Sequence, residues 1–500
     1  DNALLKGNNL SDLTNKATAL VNLGAVALAD ITENPAAGKT PKAGSDGKMD
    51  MSWIRDLSTS LKKLEKEIES IKYPDGKVPY LDWDMTAGYI PEGMNFTRGT
   101  QATYFDQFGI LRVAQENEPV FEYDPVTKKA LGLRKERDSF NKMSYSNFNQ
   151  GYWNGSSASA VINENYGVAP DGTVTSNFLT TDATEDDPKA PYTCRRYIQY
   201  EAGKDYTFSV FLKINPNMDS SKVVRFVLHT EVFGAPNRNV YFVPATGRAY
   251  VSTGSEPKNW GIQDCGGGWI RIWMTDTVSE DWNNGTGYGP LLWFSNTIVQ
   301  GQGVEWWGMQ VEEGISPTSY IPTNGSPVTR VREQIMYITE KVYLSDKATI
   351  YTEHIPEIPA PLGTKSGGFA FVIGERNNGQ NYLGIDYDNV AEDGRTQSYF
   401  RDGSDTNKGV LIRTNRTFGE IFKQAMSFSS SKSLSSSCNG SDIVTATAPP
   451  FVSYFEMANR IVFYGTTVSG IGDIRGCGYI RKIQIYNEIF EDEKLVQMTS

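Results

Sequence analysis

Residues 206–214 read Tyr-Thr-Phe-Ser-Val-Phe-Leu-Lys-Ile. Tyr206, Phe208, Val210, Leu212 and Ile214 alternate with Thr207, Ser209 and Lys213. A period of two is that of a strand with one face in a core. The same alternation recurs outward along the chain. Val224, Phe226 and Leu228 flank Arg225, and Ile270, Ile272 and Met274 interleave with Trp269, Arg271 and Trp273. Glu305, Trp307, Met309 and Val311 interleave with Val304, Trp306, Gly308 and Gln310, and Ile461, Phe463, Ile483 and Ile485 extend the pattern towards the C-terminus. Five Asn-Gly pairs, at 154–155, 284–285, 324–325, 378–379 and 439–440, punctuate these runs. Both residues accept positive φ, so the pairs predict tight turns. Many short strands with such turns imply antiparallel sandwiches or barrels.

The 500 residues are too many for one core and suggest roughly three domains. A Pro-rich joint, from Ser316-Pro317 through Ile321-Pro322 to Ser326-Pro327, predicts one boundary. It divides the β region into modules at 88–330 and 331–500. Residues 1–87 read as a helical stalk and linker. In 8–24, apolar residues at 10, 13, 17 and 20 fit one helical face, capped by Ser11 or Asp12 and ended by Gly24. Residues 33–50 have linker composition. In 52–72, Ile54, Leu57, Leu61, Leu64, Ile68 and Ile71 are spaced 3, 4, 3, 4, 3 and form a short heptad seam flanked by Lys and Glu. The seam is narrow and the other faces are charged, which favours self-association over packing on the same chain.

The net charge of −11 argues against nucleic acid and against bare anionic membranes as partners. No apolar run reaches the length of a membrane span, so no membrane insertion is expected. Cys194, Cys265, Cys438 and Cys477 are too far apart for a zinc knuckle or a CxxC motif. Buried free thiols are preferred to one bridge per module.

Catalytic signatures are sparse, and the expectation is a protein that is not an enzyme and needs no cofactor. Gly38-Lys39-Thr40 resembles the end of a phosphate loop, but Glu33 stands at the first glycine position and no strand precedes it. His229 and His354 are the only histidines. A glycosidase needs two carboxylates about 5–10 Å apart. The clusters Glu185-Asp186-Asp187, Glu312-Glu313 and Asp386/Asp388 are its candidates, the first also having the character of a solvated or Ca²⁺-binding loop. No metal-ligand set is assigned. Aromatics are the stronger clue. Flat rings beside Asn, Asp or Gln suit sugar faces, and the loop aromatics Tyr152, Trp153, Trp260, Trp282 and Tyr288 are the candidate glycan-binding residues.

Particular motifs carry a resemblance. Asn9-Leu10-Ser11-Asp12-Leu13 with Asn22-Leu23-Gly24 resembles a motif of bacteriophage tail fibres that recurs next to trimeric shafts. Ala102-Thr103-Tyr104-Phe105-Asp106, Gly109-Ile110-Leu111-Arg112, Tyr145-Ser146-Asn147-Phe148 with Trp153, and Ala169-Pro170-Asp171-Gly172-Thr173 are similar to a phage virion module. That module closes with the segment seen here from Trp307-Gly308-Met309-Gln310-Val311-Glu312 to Pro317-Thr318-Ser319-Tyr320-Ile321-Pro322-Thr323. Ala425-Met426-Ser427-Phe428, Asn439-Gly440 and Gly478-Tyr479-Ile480-Arg481-Lys482 resemble the ending of a concanavalin/laminin-G-like sandwich. Arg134-Lys135, where apolar residues are usual, and the loop at 181–190 depart from the pattern.

The resemblance implies a mainly β fold in which a helical, coiled-coil stalk carries two antiparallel, jelly-roll, lectin-like sandwiches. It further implies a homotrimeric tail fibre or receptor-binding protein of the virion, extracellular after assembly in the host cytoplasm. Such a protein recognises a bacterial surface polysaccharide and attaches to other tail proteins. The alternatives are a depolymerase tailspike, although no short repeat of a β-helix is seen, and a structural tail, collar or capsid-decoration component.

Overall fold

The computed structural model describes residues 31–32, 40–41, 61–64, 66, 72–73, 76–149, 152–153, 155–194, 198–228, 230–234, 236–279, 282–287, 289–338, 347–357, 368–374, 382–388, 395–402, 405–410, 419–429, 432–446, 460–465 and 477–500. The chain forms two compact units, Asp1–Val78 and Pro79–Ser500. In the first, Ile31–Thr32 pairs with Thr40–Pro41 in parallel, and residues 61–64 are helical. Leu61 and Leu64 of the expected seam are 49% and 52% exposed. Ile54, Leu57, Ile68 and Ile71 lie outside the described residues, as does the predicted helix at 8–24.

The second unit is almost entirely antiparallel β, with helices limited to short pieces and Asp492–Thr499 among the described residues. One sandwich occupies its middle. Its first sheet runs in the order Ala160–Asn163, Asn177–Thr181, Val304–Glu313, Asp205–Lys213, Trp269–Thr277, Asn259–Asp264. Its second runs Gly155–Ser156, Tyr192–Cys194, Leu291–Phe294, Val224–Leu228, Arg238–Val243, Arg248–Tyr250. The alternation read in the sequence builds the core between them. Phe208, Val210, Leu212, Ile270, Ile272 and Met274 from the first sheet meet Val224, Phe226, Leu228, Phe242, Leu292 and Phe294 from the second. The 304–313 strand departs from simple alternation. Gly308 has φ +61° and the ladder register shifts between Ser209 and Phe211. This bulge puts Trp306 and Met309 in the core and turns Trp307 out of it.

The other sandwich is built from both ends of the unit. Its seven-stranded sheet takes Met94–Thr97 beside Gln334–Ile338, Arg460–Gly465 and Gly368–Gly374. Its eight-stranded sheet takes Phe121–Tyr123 and Ala130–Lys135 beside Cys477–Tyr486, Lys347–Glu357 and Phe422–Ser429, with Leu81–Asp84 pairing on Cys477–Tyr486 as well. Trp83, Met94, Leu133, Ile350, Phe428, Phe463, Ile480 and Ile485 share its core. The sheets therefore do not divide at residue 330. Residues expected to belong to a module at 88–330 supply strands to both sandwiches, and the middle sandwich is an insertion in the outer one. Ser139–Asn141, where the chain enters the insertion, pairs antiparallel with Val328–Arg330, where it leaves. The proline-rich stretch at 316–327 lies just before this neck, and composition carries no strand-pairing information.

The departures at Arg134 and Lys135 belong to this neck. Arg134 bonds Glu122 and lies 2.7 Å from Glu136, Arg330 lies 3.4 Å from Glu136 and 3.2 Å from Glu333, and Arg98 lies 3.6 Å from Glu333. All six of these side chains are buried. Burial by itself would raise the Glu136 pKa, but Arg134 and Arg330 outweigh it and hold the carboxyl at about 2. Such a cluster must be kept whole, because a lone buried charge is costly. Cys265, Cys438 and Cys477 are buried and outside any disulfide, and burial pushes the Cys477 thiol up to about 11.

Of the Asn-Gly pairs, Asn439 and Gly440 have φ 45° and 69°, as a tight turn requires. Asn284 and Gly285 instead lie within the strand Trp282–Gly287. The strand pairs with Ile198–Tyr200 through Trp282 and Gly287, and the register is irregular between them, where Asn284 and Gly285 lie.

Candidate glycan-recognition face

Every residue that points into a sheet's core has neighbours pointing out, and in the second sheet of the inserted sandwich those neighbours line up. Tyr192 is the register partner of Trp293, Trp293 of Arg225, Arg225 of Tyr241, and Tyr241 of Tyr250. The five residues therefore form one row across five adjacent strands. Their neighbours Phe226, Phe242, Leu292, Phe294 and Val224 are in the core, so the row lies on the opposite face. At the usual strand spacing it spans about 19 Å, room for several sugar rings in line.

All five residues are half-buried. The Trp293 and Tyr192 rings are tilted at 5.8 Å, and the Arg225 guanidinium sits over Trp293 at 4.2 Å from the ring centre. Tyr241 and Tyr250 stack at 5.1 Å with their planes 10° apart, and Arg248 covers Tyr250 at 5.1 Å. Val227 and Leu291 pack under Trp293 and Tyr192 on the same face and fix their positions. Arg225 makes no ion pair among the described residues, and its Nε has no hydrogen-bond partner. Held flat on Trp293, it presents a planar donor edge suited to a carboxylate or phosphate group. The row thus offers apolar ring faces for sugar C–H groups and one cation for an acidic substituent.

The aromatics singled out from the sequence lie elsewhere. Tyr152 and Trp153 are 9% and 4% exposed and pack in the core against Trp306 and Tyr145. The Tyr152 hydroxyl accepts a hydrogen bond from the Ser144 N–H, and Trp153 Nε1 donates to the Asn147 carbonyl. Both are framework, because the loop that carries them folds inward. Trp260 is half-buried against the same core. Trp282 begins a strand paired with Tyr200, and Tyr288 lies outside the described residues. The residues of the row have a sequence signal of their own: an aromatic or Arg at the outward position of an alternating strand, as in Val224-Arg225-Phe226.

The carboxylate clusters divide as follows. Glu185, Asp186 and Asp187 are exposed on a loop. Glu312 is buried and accepts hydrogen bonds from the Thr318 N–H at 2.9 Å, the Thr318 hydroxyl at 2.8 Å and Gln310 Nε2 at 2.6 Å. Its neighbour Glu313 points out to Lys204 at 3.1 Å. Glu312 therefore holds the 316–321 segment down. No group of three or more His, Cys, Asp or Glu placed to hold a metal ion occurs among the described residues. No helix among them is long and apolar enough to cross a membrane.

No family model matches the chain, and no curated protein matches it. Among solved structures it is similar to the Ruminococcus gnavus IT-sialidase CBM40 bound to α2,3 sialyllactose, with 15% identity over 31% of this chain and 84% of that one and a TM-score of 0.27. It is also similar to the heptameric SAP-like pentraxin of Limulus polyphemus, with 13% identity over 33% and 76% of the two chains and a TM-score of 0.28. The NanB sialidase of Streptococcus pneumoniae matches at 15% identity over 31% and 25%, with a TM-score of 0.26. At TM-scores below 0.5 these likenesses assign no ligand, and the character of the chain follows from its own sheets and faces: it is a mainly β protein of antiparallel sandwiches.

Proposed function

We propose that this chain is a receptor-binding tail-fibre protein of a phage virion that recognises a bacterial surface glycan and does not cleave it. The observation that carries the glycan reading is the row Tyr192–Trp293–Arg225–Tyr241–Tyr250, with its unpaired cation at the centre. The virion setting is supported by the tail-fibre motifs alone. A polysaccharide with acidic groups fits the row best, its rings stacking on the aromatics and one acidic group meeting Arg225.

The test is binding of host polysaccharide to intact protein by biolayer interferometry. Trp293→Ala is expected to weaken it about tenfold, the upper end of a stacking contribution, with the unfolding midpoint held within a few degrees. Undiminished binding by that variant overturns the assignment of the face. Release of oligosaccharides from the same polysaccharide would show a depolymerase instead.

The exposure of Leu61 and Leu64 supports self-association through the 52–72 seam, with the trimer as the proposed state. Three sites on one particle would raise avidity without tight single contacts. Light scattering is expected to give three times the 55.5 kDa chain mass, and a monomer for Leu61→Lys with Leu64→Lys.

A further inference from the structure

The opposite side of the inserted sandwich carries a second concavity. Trp307, turned out of the first sheet by the bulge at Gly308, and Tyr320, from the segment that covers it, contribute to an open cleft of about 470 Å³. Their rings lie 4.5 Å apart, and both pack on Phe211. The floor is fixed. Trp307 Nε1 donates to the Thr175 hydroxyl at 3.1 Å, the Tyr320 and Ser146 hydroxyls are 2.5 Å apart, and Asn147 Oδ1 accepts from the Gly308 N–H at 2.9 Å.

Two buried polar atoms of residues lining this cleft lack hydrogen-bond partners in the protein: Asn177 Nδ2, on a residue only 2% exposed, and Thr323 Oγ1. Buried polar groups are nearly always satisfied, so such a pair at one cleft points to a polar occupant. Two carboxylates, Glu164 and Asp171, also line it, and no Lys or Arg does among the described residues. Tyr166 follows the lining residues Glu164 and Asn165 in the chain. It stacks on Phe178 at 4.4 Å and 12° and is 53% exposed.

We propose that this cleft is a second saccharide site on the same protomer, built for an uncharged sugar residue. It rests on the glycan reading above. Carboxylates and amides accept from and donate to sugar hydroxyls, and the two carboxylates repel uronate or sialate groups; Trp307 and Tyr320, each only 3% exposed, hold the floor in place from beneath. The two faces therefore sort one heteropolymer by charge, acidic units on the row and neutral units in the cleft.

The test is an array of immobilised neutral oligosaccharides (gluco-, galacto- and N-acetylglucosamine series) and acidic ones (glucuronate, galacturonate and sialyl series). It is probed with the full-length wild type, Trp293→Ala, and Thr173→Arg. Thr173 lies on the exposed rim, so the added side chain obstructs the cleft without touching a core. Thr173→Arg is expected to lose neutral signals at least tenfold and keep acidic ones, and Trp293→Ala to do the reverse. In Glu164→Gln, acidic oligosaccharides are expected to gain about threefold at low salt. Neutral signals that survive Thr173→Arg, or acidic signals that vanish with it, overturn the second site. Wild type that binds neither series overturns the glycan reading itself.

Discussion

Glu136 and Glu357 illustrate how one neighbourhood pushes two carboxyls in opposite directions. Glu136 is paired with two arginines and held at about 2, against an ordinary value of 4.5. Unfolded, it takes up a proton more readily than folded, so its pairs act in full above about pH 4.5 and fade as the pH falls towards 2. Burial pushes Glu357 up to about 7 despite Arg134, whose guanidinium is 3.9 Å away. Between pH 4.5 and 7 the unfolded chain ionises there while the folded carboxyl keeps its proton, so this residue lowers stability as the pH rises. Urea midpoints measured from pH 4.5 to 7 should therefore climb less steeply, or fall, in wild type than in Glu357→Gln. Glu136→Gln should cost about 3 kcal/mol or more at pH 7, because it leaves the three buried arginines of the cluster sharing Glu122 and Glu333. At this scale the sequence was least legible. Arg134 stood out as an oddity, but its partners Glu122, Glu136 and Glu357 are scattered over 236 positions and only folding assembles them. Trp153 failed for the complementary reason: Asn- and Gly-rich surroundings mark a loop and do not say which way it folds.

Strands were the most legible elements. The alternations at 206–214, 224–228 and 270–274 each put the expected side chains in the core, since period two leaves only a choice of face. The 304–313 strand was half-legible. Its apolar run fits either phase, and the outcome is decided by a single glycine that shifts phase midway. Gly308 has positive φ, and a Cβ there would meet Phe211 at 3.0 Å and Tyr320 at 3.1 Å. Gly308→Ala should cost about 1–2 kcal/mol by chemical unfolding. It should also weaken retention of neutral sugars more than acidic ones, because the bulge aims Trp307 at the cleft. Equal losses in both series would show that the glycine matters only to stability.

Topology of the whole molecule was legible only as class. Local pattern predicted two sandwiches and a joint, but which strands pair over more than 340 residues is not written in any window of sequence. Leu81 pairs with Ile485 and Leu133 with Ile480, so the outer sandwich needs both ends of the unit. Two fragments test this. Residues 139–330, carrying both sheets of the insertion and its neck, should fold cooperatively when expressed alone. Residues 331–500, stripped of the strands at 81–84, 94–97, 121–123 and 130–135, should fail to give a cooperative transition by circular dichroism. A well-folded 331–500 would restore the sequential division at 330.

The neck also governs how the molecule bears load. Ser139–Asn141 and Val328–Arg330 lie side by side, so both chain crossings leave the inserted sandwich at one place. A tug on anything it grips is shared by two parallel tethers and passes next into the arginine–glutamate cluster around Arg330. Under the proposed receptor-binding role, a particle pulled by flow would load this paired neck before it loaded the outer sandwich.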